Sequence, residues 1–231
     1  QFDIPPAHQI SELTQKQLVK LMDGYKQSLK VQNVLFEIAN LAFIDSDVDK
    51  FYESIHNAVS ELIYSENIII ATIDPDEQFV DFVYFKDSVD SLDREQLRSL
   101  AAERVKYSLT GYVIRTGKPL LADQTKMDQL IGKGEVCQVG ETCFYWMGVP
   151  LLIDGNVSGV IALQSYEESK SFSQSDLELL RFVASNISTV INRKFLADQI
   201  VKVNSELRES HAKLEEKVQK RTNELVKSNY E

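Results

Sequence analysis

Cysteine is nearly absent: Cys137 and Cys143 are the only two in 231 residues. That excludes a disulfide framework and fits a reducing compartment, so a cytoplasmic location is expected. Histidine is scarce too, with His8, His56 and His211 alone. None stands in an HExxH-type pattern, and no metal site is assigned. Nine glycines and five prolines are about half the roughly 12% of average usage, so long helices should dominate. No apolar run approaches the roughly 18 residues of a membrane span. No basic stretch followed by an apolar one opens the chain, so no secretion signal is read. Positive charge is also short, with 25 Lys and Arg against 35 Asp and Glu, which argues against nucleic-acid binding by bulk charge.

What is present is periodic. Residues 1–9, with Pro5-Pro6, read as a disordered start, and 10–44 as a long N-terminal signalling helix. Ile10, Leu13, Leu18, Leu21, Tyr25, Val31, Leu35, Ile38 and Ala42 recur at three and four, and the pattern weakens near Gly24 and Ser28. A second helix is expected over 47–64, with Ser46 as N-cap and Val48, Phe51, Ile55, Ala58, Val59 and Leu62 as its buried stripe. The period then changes to that of strands. Asn67–Ile73 and Gln78–Phe85 flank the turn Asp74-Pro75-Asp76-Glu77. Short helices follow at 94–105, at Ser108–Thr116 and from Asp123 to Ile131, with a short strand at Pro119–Ala122. Cys143–Ile153 and Val157–Tyr166 flank Asp154-Gly155, a strong hairpin signal, and Pro150 points to an edge or a bulge. Ser173 and Asp176 mark a helix start, stapled by Phe172 and Leu177. No break residue follows, so this helix should run to the end of the chain, which reads as a piece of a longer protein.

The acidic excess belongs to the middle: residues 45–106 carry 15 acids and 6 bases, whereas 196–231 carry 7 of each. The balanced tail also holds a seam. Leu196, Ile200, Val203, Leu207, His211, Leu214, Val218, Arg221, Leu225 and Ser228 follow one another at threes and fours. Such a stripe cannot bury itself on one helix, so residues 196–231 are expected to form a coiled-coil linker, most simply with a second copy of the chain. Two fours in succession around Leu207 and His211 are a stutter, which locally unwinds a left-handed coil.

Candidate chemistry is sparse. His56 lies beside an apolar stripe and reads as a structural histidine or, alternatively, a haem or metal ligand. The two cysteines are small buried thiols or a redox pair. Gly132-Lys133-Gly134 lacks the Walker spacing and reads as a helix C-cap. No GxSxG elbow occurs, so no catalytic residue is assigned. About 57 residues separate the two hairpins, and such an excursion commonly folds over one sheet face to make a pocket. A pocket between the sheet and residues 86–142 is expected, lined by Tyr84, Tyr112, Cys143 and Trp146.

The runs SLTGYVIRTGKPLLADQ (108–124) and WMGVPLLIDGNVSGVIALQSY (146–166), followed by FSQSDLELLRFVASNIS, resemble bacterial GAF domains over about residues 31–195. The branch resembled lies upstream of diguanylate cyclases, cyclic-di-GMP phosphodiesterases and sensor histidine kinases, and LEEKVQKRTNEL looks like the helical linker to such outputs. The resemblance implies an α+β fold. Its antiparallel sheet would have six strands, with helices on one face and a ligand pocket on the other, and the GAF domain would occupy 45–195. It also implies a sensory module without catalysis of its own. A small ligand of unknown identity would be bound, and the state passed through a homodimer of N- and C-terminal helices to an output domain. Cyclic-di-GMP turnover is favoured as that output, with a histidine kinase as alternative. An enzyme resembling methionine-sulfoxide reductase is the rival of another class. The Asn-Lys…Phe…Asp-Glu signature of cyclic-nucleotide-binding GAF domains and the Cys-His pair of bilin-attaching ones are absent. The reductase cysteine set is incomplete, and no cofactor is assigned.

Overall fold

The computed structural model describes residues 7–41, 47–73, 80–89, 96 and 105–228, with side chains excepted at 7–14, 16 and 224–228. Residues 1–190 form one compact unit and 191–231 a second. The elements are α1 (Ala7–Leu41), α2 (Val48–Ser60), β1 (Asn67–Ile73), β2 (Val80–Lys86), α3 (Leu109–Thr116), β3 (Leu120–Asp123), α4 (Gln124–Gly132), β4 (Tyr145–Ile153), β5 (Asn156–Ser165) and α5 (Gln174–Ser228). The helix expected at 94–105 lies almost wholly outside the described residues.

The strands make one antiparallel sheet in the order β2-β1-β5-β4-β3. Five strands are found among the described residues, where the family resemblance implied six. The β4–β5 hairpin closes through Asp154 and Gly155, whose φ values of 50° and 80° give the doubly left-handed turn that matches strand twist. Pro150 lies past the last β3 pair, Leu120↔Gly148, so β4 there has β5 as its only paired neighbour. The register also shifts at Leu151/Leu152, so both features expected around that proline are present.

Strand alternation sorts the core into two faces. Ile69, Ala71, Trp146, Val160 and Ala162 join α3 and α4 residues such as Val113, Met127 and Leu130 in one buried cluster. Their neighbours Ile68, Ile70, Met147, Val149, Ile161 and Leu163 point the other way and are equally buried. On that second face, Tyr84 of β2 reaches His56 of α2. The two short helices α3 and α4 thus cover one face of the sheet and α2 the other.

Local sequence explains the helix ends. Ser108 accepts from the Gly111 amide at 3.0 Å and Asp123 from the Lys126 amide at 2.8 Å, capping α3 and α4. Gly117 (φ 62°) ends α3 in the left-handed conformation. At the start of α5, the Asp176 carboxylate accepts from the Ser173 amide at 2.7 Å, and the Ser173 hydroxyl accepts from the Asp176 amide at 3.2 Å. Phe172 and Leu177 are both buried beside this reciprocal cap. α2 departs from expectation. It starts at Val48 with Asp47 as N-cap, carries no side-chain cap bond, and ends at Ser60, with Ser46 outside the described residues. Val48, the first residue of the helix, is exposed rather than buried, although it lies in line with Ile55 and Val59, and the buried stripe begins one turn later at Phe51. α1 begins at Ala7, inside the segment expected to be disordered, and buries Val34 and Ile38, while Leu18, Leu21 and Tyr25 are exposed.

In the second unit Ile191 is buried and Asn192 and Lys194 are half-buried, and from Phe195 onward every described side chain of the helix is exposed. Leu196, Ile200, Val203, Leu207, Leu214 and Val218 are between 51% and 62% exposed, and Leu225 lies beyond the described side chains. Along the helix Lys213 and Glu209 meet at 2.6 Å, and His211 Nδ1 lies 3.5 Å from Glu215.

Candidate functional site

A cavity of about 270 Å³ opens on the sheet face opposite α2. Its walls come from sequence-distant elements. The sheet gives Ile69, Phe82, Phe85, Trp146 and Gln164; the first turn of α3 gives Leu109 and Thr110; α4 gives Gln124, Met127, Asp128 and Ile131; and the segment 136–143 closes the side. The lining therefore mixes aromatic rings, thiols and amides with two carboxylates, Asp128 and Glu141.

Of the four residues expected here, Cys143 and Trp146 line the cavity, and Cys137 joins them. Tyr84 and Tyr112 do not. The register of β1 and β2 slips between Ile70 and Ala71, so Ile70 pairs with Tyr84 and Ala71 with Phe82, leaving Val83 bulged. Phe82 and Phe85 thereby share the cavity face, and Tyr84 is turned to the helices. Tyr112 sits a turn along α3 from the cavity, packed on the buried cluster under the Arg115 guanidinium, 5.9 Å from its ring centre.

Tyr84 has a structural partner instead. The His56 Nε2–H donates to the Ser65 carbonyl at 2.6 Å, because a carbonyl can only accept. That leaves Nδ1 to accept from the Tyr84 hydroxyl at 3.1 Å. Burial holds the His56 pKa below its ordinary value, so the neutral imidazole is the resting form. With both nitrogens engaged inside the protein, His56 is a structural histidine. Among the described residues no cluster of His, Cys, Asp and Glu could hold a metal ion. Gly132-Lys133-Gly134 ends α4: Lys133 is the C-cap and Gly134 is left-handed at φ 69°.

Sequence reasoning missed a polar network at the sheet side of the cavity. Gln164, nine-tenths buried, directs its amide nitrogen to the Asp87 carboxylate and, at 3.0 Å, to the Tyr166 hydroxyl. Tyr166 in turn donates to the same Asp87 oxygen at 3.1 Å. The Asn67 side chain clamps the arrangement, donating to the backbone carbonyl of Gln164 at 3.2 Å and accepting from the Ser88 backbone amide at 2.7 Å. The signal available was that Gln164 and Tyr166 share strand parity with Ala162, but which parity faces the cavity depends on the hairpin register. Burial pushes the Cys143 thiol up to about 11, which makes it a poor nucleophile at neutral pH.

The family described as GAF domain matches residues 45–192. None of the curated proteins matches the chain. Among solved structures, the GAF domain of a Coxiella burnetii phosphoenolpyruvate-protein phosphotransferase is 14% identical at a TM-score of 0.56, covering 74% of this chain and 98% of that one. The GAF domain of the Acinetobacter phosphotransferase is 16% identical at 0.53, covering 71% and 94%. A free methionine-R-sulfoxide reductase from Neisseria meningitidis, solved with its substrate, is 14% identical at 0.53, covering 74% and 93%. At these identities the structural likeness concerns the fold.

Proposed function

The chain belongs to the GAF domain family, and on that premise we propose that it is the ligand-sensing region of a cytoplasmic bacterial signal-transduction protein. In this reading the cavity of residues 1–190 takes a small molecule. The seam of residues 196–231 pairs with a second copy in a coiled coil, assisted by α1, and the paired helices carry the state to an output domain. The observation that carries the reading is the cavity itself. It is built from four strands, two capped helices and a loop, so its occupancy is coupled to the packing of the whole sheet face. The bare apolar seam supports the second step, since a single helix leaves Leu207 and Leu214 about 60% exposed. Cyclic-di-GMP turnover as the output rests on the likeness of the 108–124 and 146–166 runs and the LEEKVQKRTNEL tail to the corresponding GAF branch.

A methionine-sulfoxide reductase would need a reactive thiolate at the cavity, and the raised pKa of Cys143 speaks against that chemistry. No helix among the described residues is long and apolar enough to cross a membrane.

Native mass spectrometry of the purified chain tests the reading. The expected spectrum shows a dimer carrying a constant small-molecule increment that is lost on collisional activation. A dimer or monomer at the bare polypeptide mass, from every preparation, contradicts it.

A further inference from the structure

We propose that the cavity takes a small molecule that carries a carboxamide, or the same CO–NH unit closed into a ring, on an aromatic body. The proposal rests on the cavity being the ligand site of the sensor, and it names the chemical class that site selects.

Three side chains that line the cavity are deeply buried and hold a polar group that no described residue satisfies. The first group is an acceptor. A carboxylate can only accept, so the Gln164 amide turns its nitrogen to Asp87, and its two N–H groups go to Asp87 and the Tyr166 hydroxyl. Oε1 is the atom left over, on a residue 9% exposed. The second is a donor. The indole Nε1–H of Trp146 can only donate, on a residue 2% exposed, and no described acceptor meets it. The third is the hydroxyl of Thr110, in the first turn of α3 and 4% exposed, which can give or accept a bond and does neither among the described residues. Buried polar groups are nearly always paired, because leaving one bare costs free energy, and a ligand that meets all three would recover it.

The placement of donor and acceptor fixes the complement. Trp146 and Gln164 are paired across β4 and β5, so their side chains stand side by side on the cavity face, with Cβ atoms about 5 Å apart. A ketone or a carboxylate can serve only the indole N–H, and an ammonium or amidinium only Gln164 Oε1. A carboxamide serves both at once, its carbonyl accepting from Trp146 and its N–H donating to Gln164. A primary amide has a second N–H, which the Thr110 hydroxyl can accept. The body follows from the rest of the wall, where Phe82, Phe85 and Met127 offer ring and thioether surface to an aromatic group. The volume of about 270 Å³ equals about nine waters at roughly 30 Å³ each, which suits a molecule of about that many heavy atoms.

Trp146 is the only tryptophan in the chain, so the nitrogen-15 spectrum of the labelled, intact protein holds one indole N–H resonance, and it reports the cavity directly. The probes are benzamide, acetophenone and benzamidinium, three molecules of one shape that offer acceptor and donor, acceptor alone and donor alone. Titrated at neutral pH, benzamide is expected to bind at least about tenfold more tightly than either of the others, the scale of one buried hydrogen bond left unmade. It should also move the Trp146 indole proton downfield, as a carbonyl accepting from it would. Gln164→Leu should weaken benzamide by about tenfold and leave acetophenone nearly unchanged, and Thr110→Val should weaken benzamide severalfold. The comparison of the three probes uses the unaltered protein, so it decides the proposal even where a buried substitution fails to fold. Acetophenone or benzamidinium binding as tightly as benzamide overturns the carboxamide class while leaving the cavity a ligand site. So does benzamide binding that leaves the indole resonance in place or that both variants leave unchanged. Absence of binding by all three probes also overturns it, whereas the sensor reading is decided separately by the native mass spectrum.

Discussion

The indole of Trp146 lies across Gly148, two residues along the same strand face. A Cβ on Gly148 would come within 2.3 Å of the ring. The glycine is what lets the largest side chain of the cavity lie flat on the sheet. Gly148→Ala should therefore lift the indole toward the cavity and overpack it, costing about 1–3 kcal/mol. Urea unfolding followed by Trp146 fluorescence checks this, together with a change in the native emission maximum. An unshifted midpoint with native-like emission would show that the ring has room elsewhere.

His56 gives the helix face a pH dependence with a definite sign. Its native pKa is lowered by burial, so the unfolded chain binds the proton more readily. The stabilisation from this group is complete above the unfolded value of about 6.5. It declines as pH falls below that value and through the lower native one. Lys86 reinforces the shift, while the Ser65 carbonyl and Glu53 oppose it. Thermal melts of the native protein and of His56→Gln across the range from neutral to mildly acid should diverge, with the native protein losing more stability on acidification.

Ser173→Ala removes one half of the reciprocal cap at the start of α5. The expected loss is about 1 kcal/mol. Asp176→Ala should cost a similar amount, and the double variant less than the sum, because the two groups serve each other. Additive losses in chemical denaturation would mean that the two act independently.

Leu207→Ala with Leu214→Ala strips two seam positions that are exposed in a single copy. If a second copy covers them, each is worth about 2 kcal/mol or more. Sedimentation velocity should then show a shift from dimer toward monomer. A dimer unchanged by the pair would place the contact on residues 1–190.

The layout of this fold was legible because its signals are local. Asp154-Gly155, the Ser108 and Asp123 caps, the Ser173–Asp176 box and the period-two strands each announce themselves within a few residues. The cavity was half legible for a physical reason: its lining depends on two bulges. Even alternation from Phe82 would put Tyr84 on the cavity face, but the extra residue at Val83 reverses it. Counting back from the hairpin turn would set Trp146 opposite Leu163. The register shift at Leu151/Leu152 sets it opposite Gln164 instead, and so brings the amide and the indole together. The bulge at Val83 leaves no composition signal in its strand, and Pro150 points to the second without fixing the register that follows from it. The Asp87–Gln164–Tyr166 network joins residues 77 and 79 positions apart and follows from that register.

Under the proposed function, occupancy of the cavity alters the C-terminal helix. Hydrogen–deuterium exchange of the same preparation, with its bound small molecule and after its removal, measures this directly. Occupancy is expected to slow exchange in residues 136–143 at the cavity wall and also to alter exchange between 196 and 223, on the seam. Protection confined to the cavity wall, with the seam peptides superimposable in the two states, would contradict it.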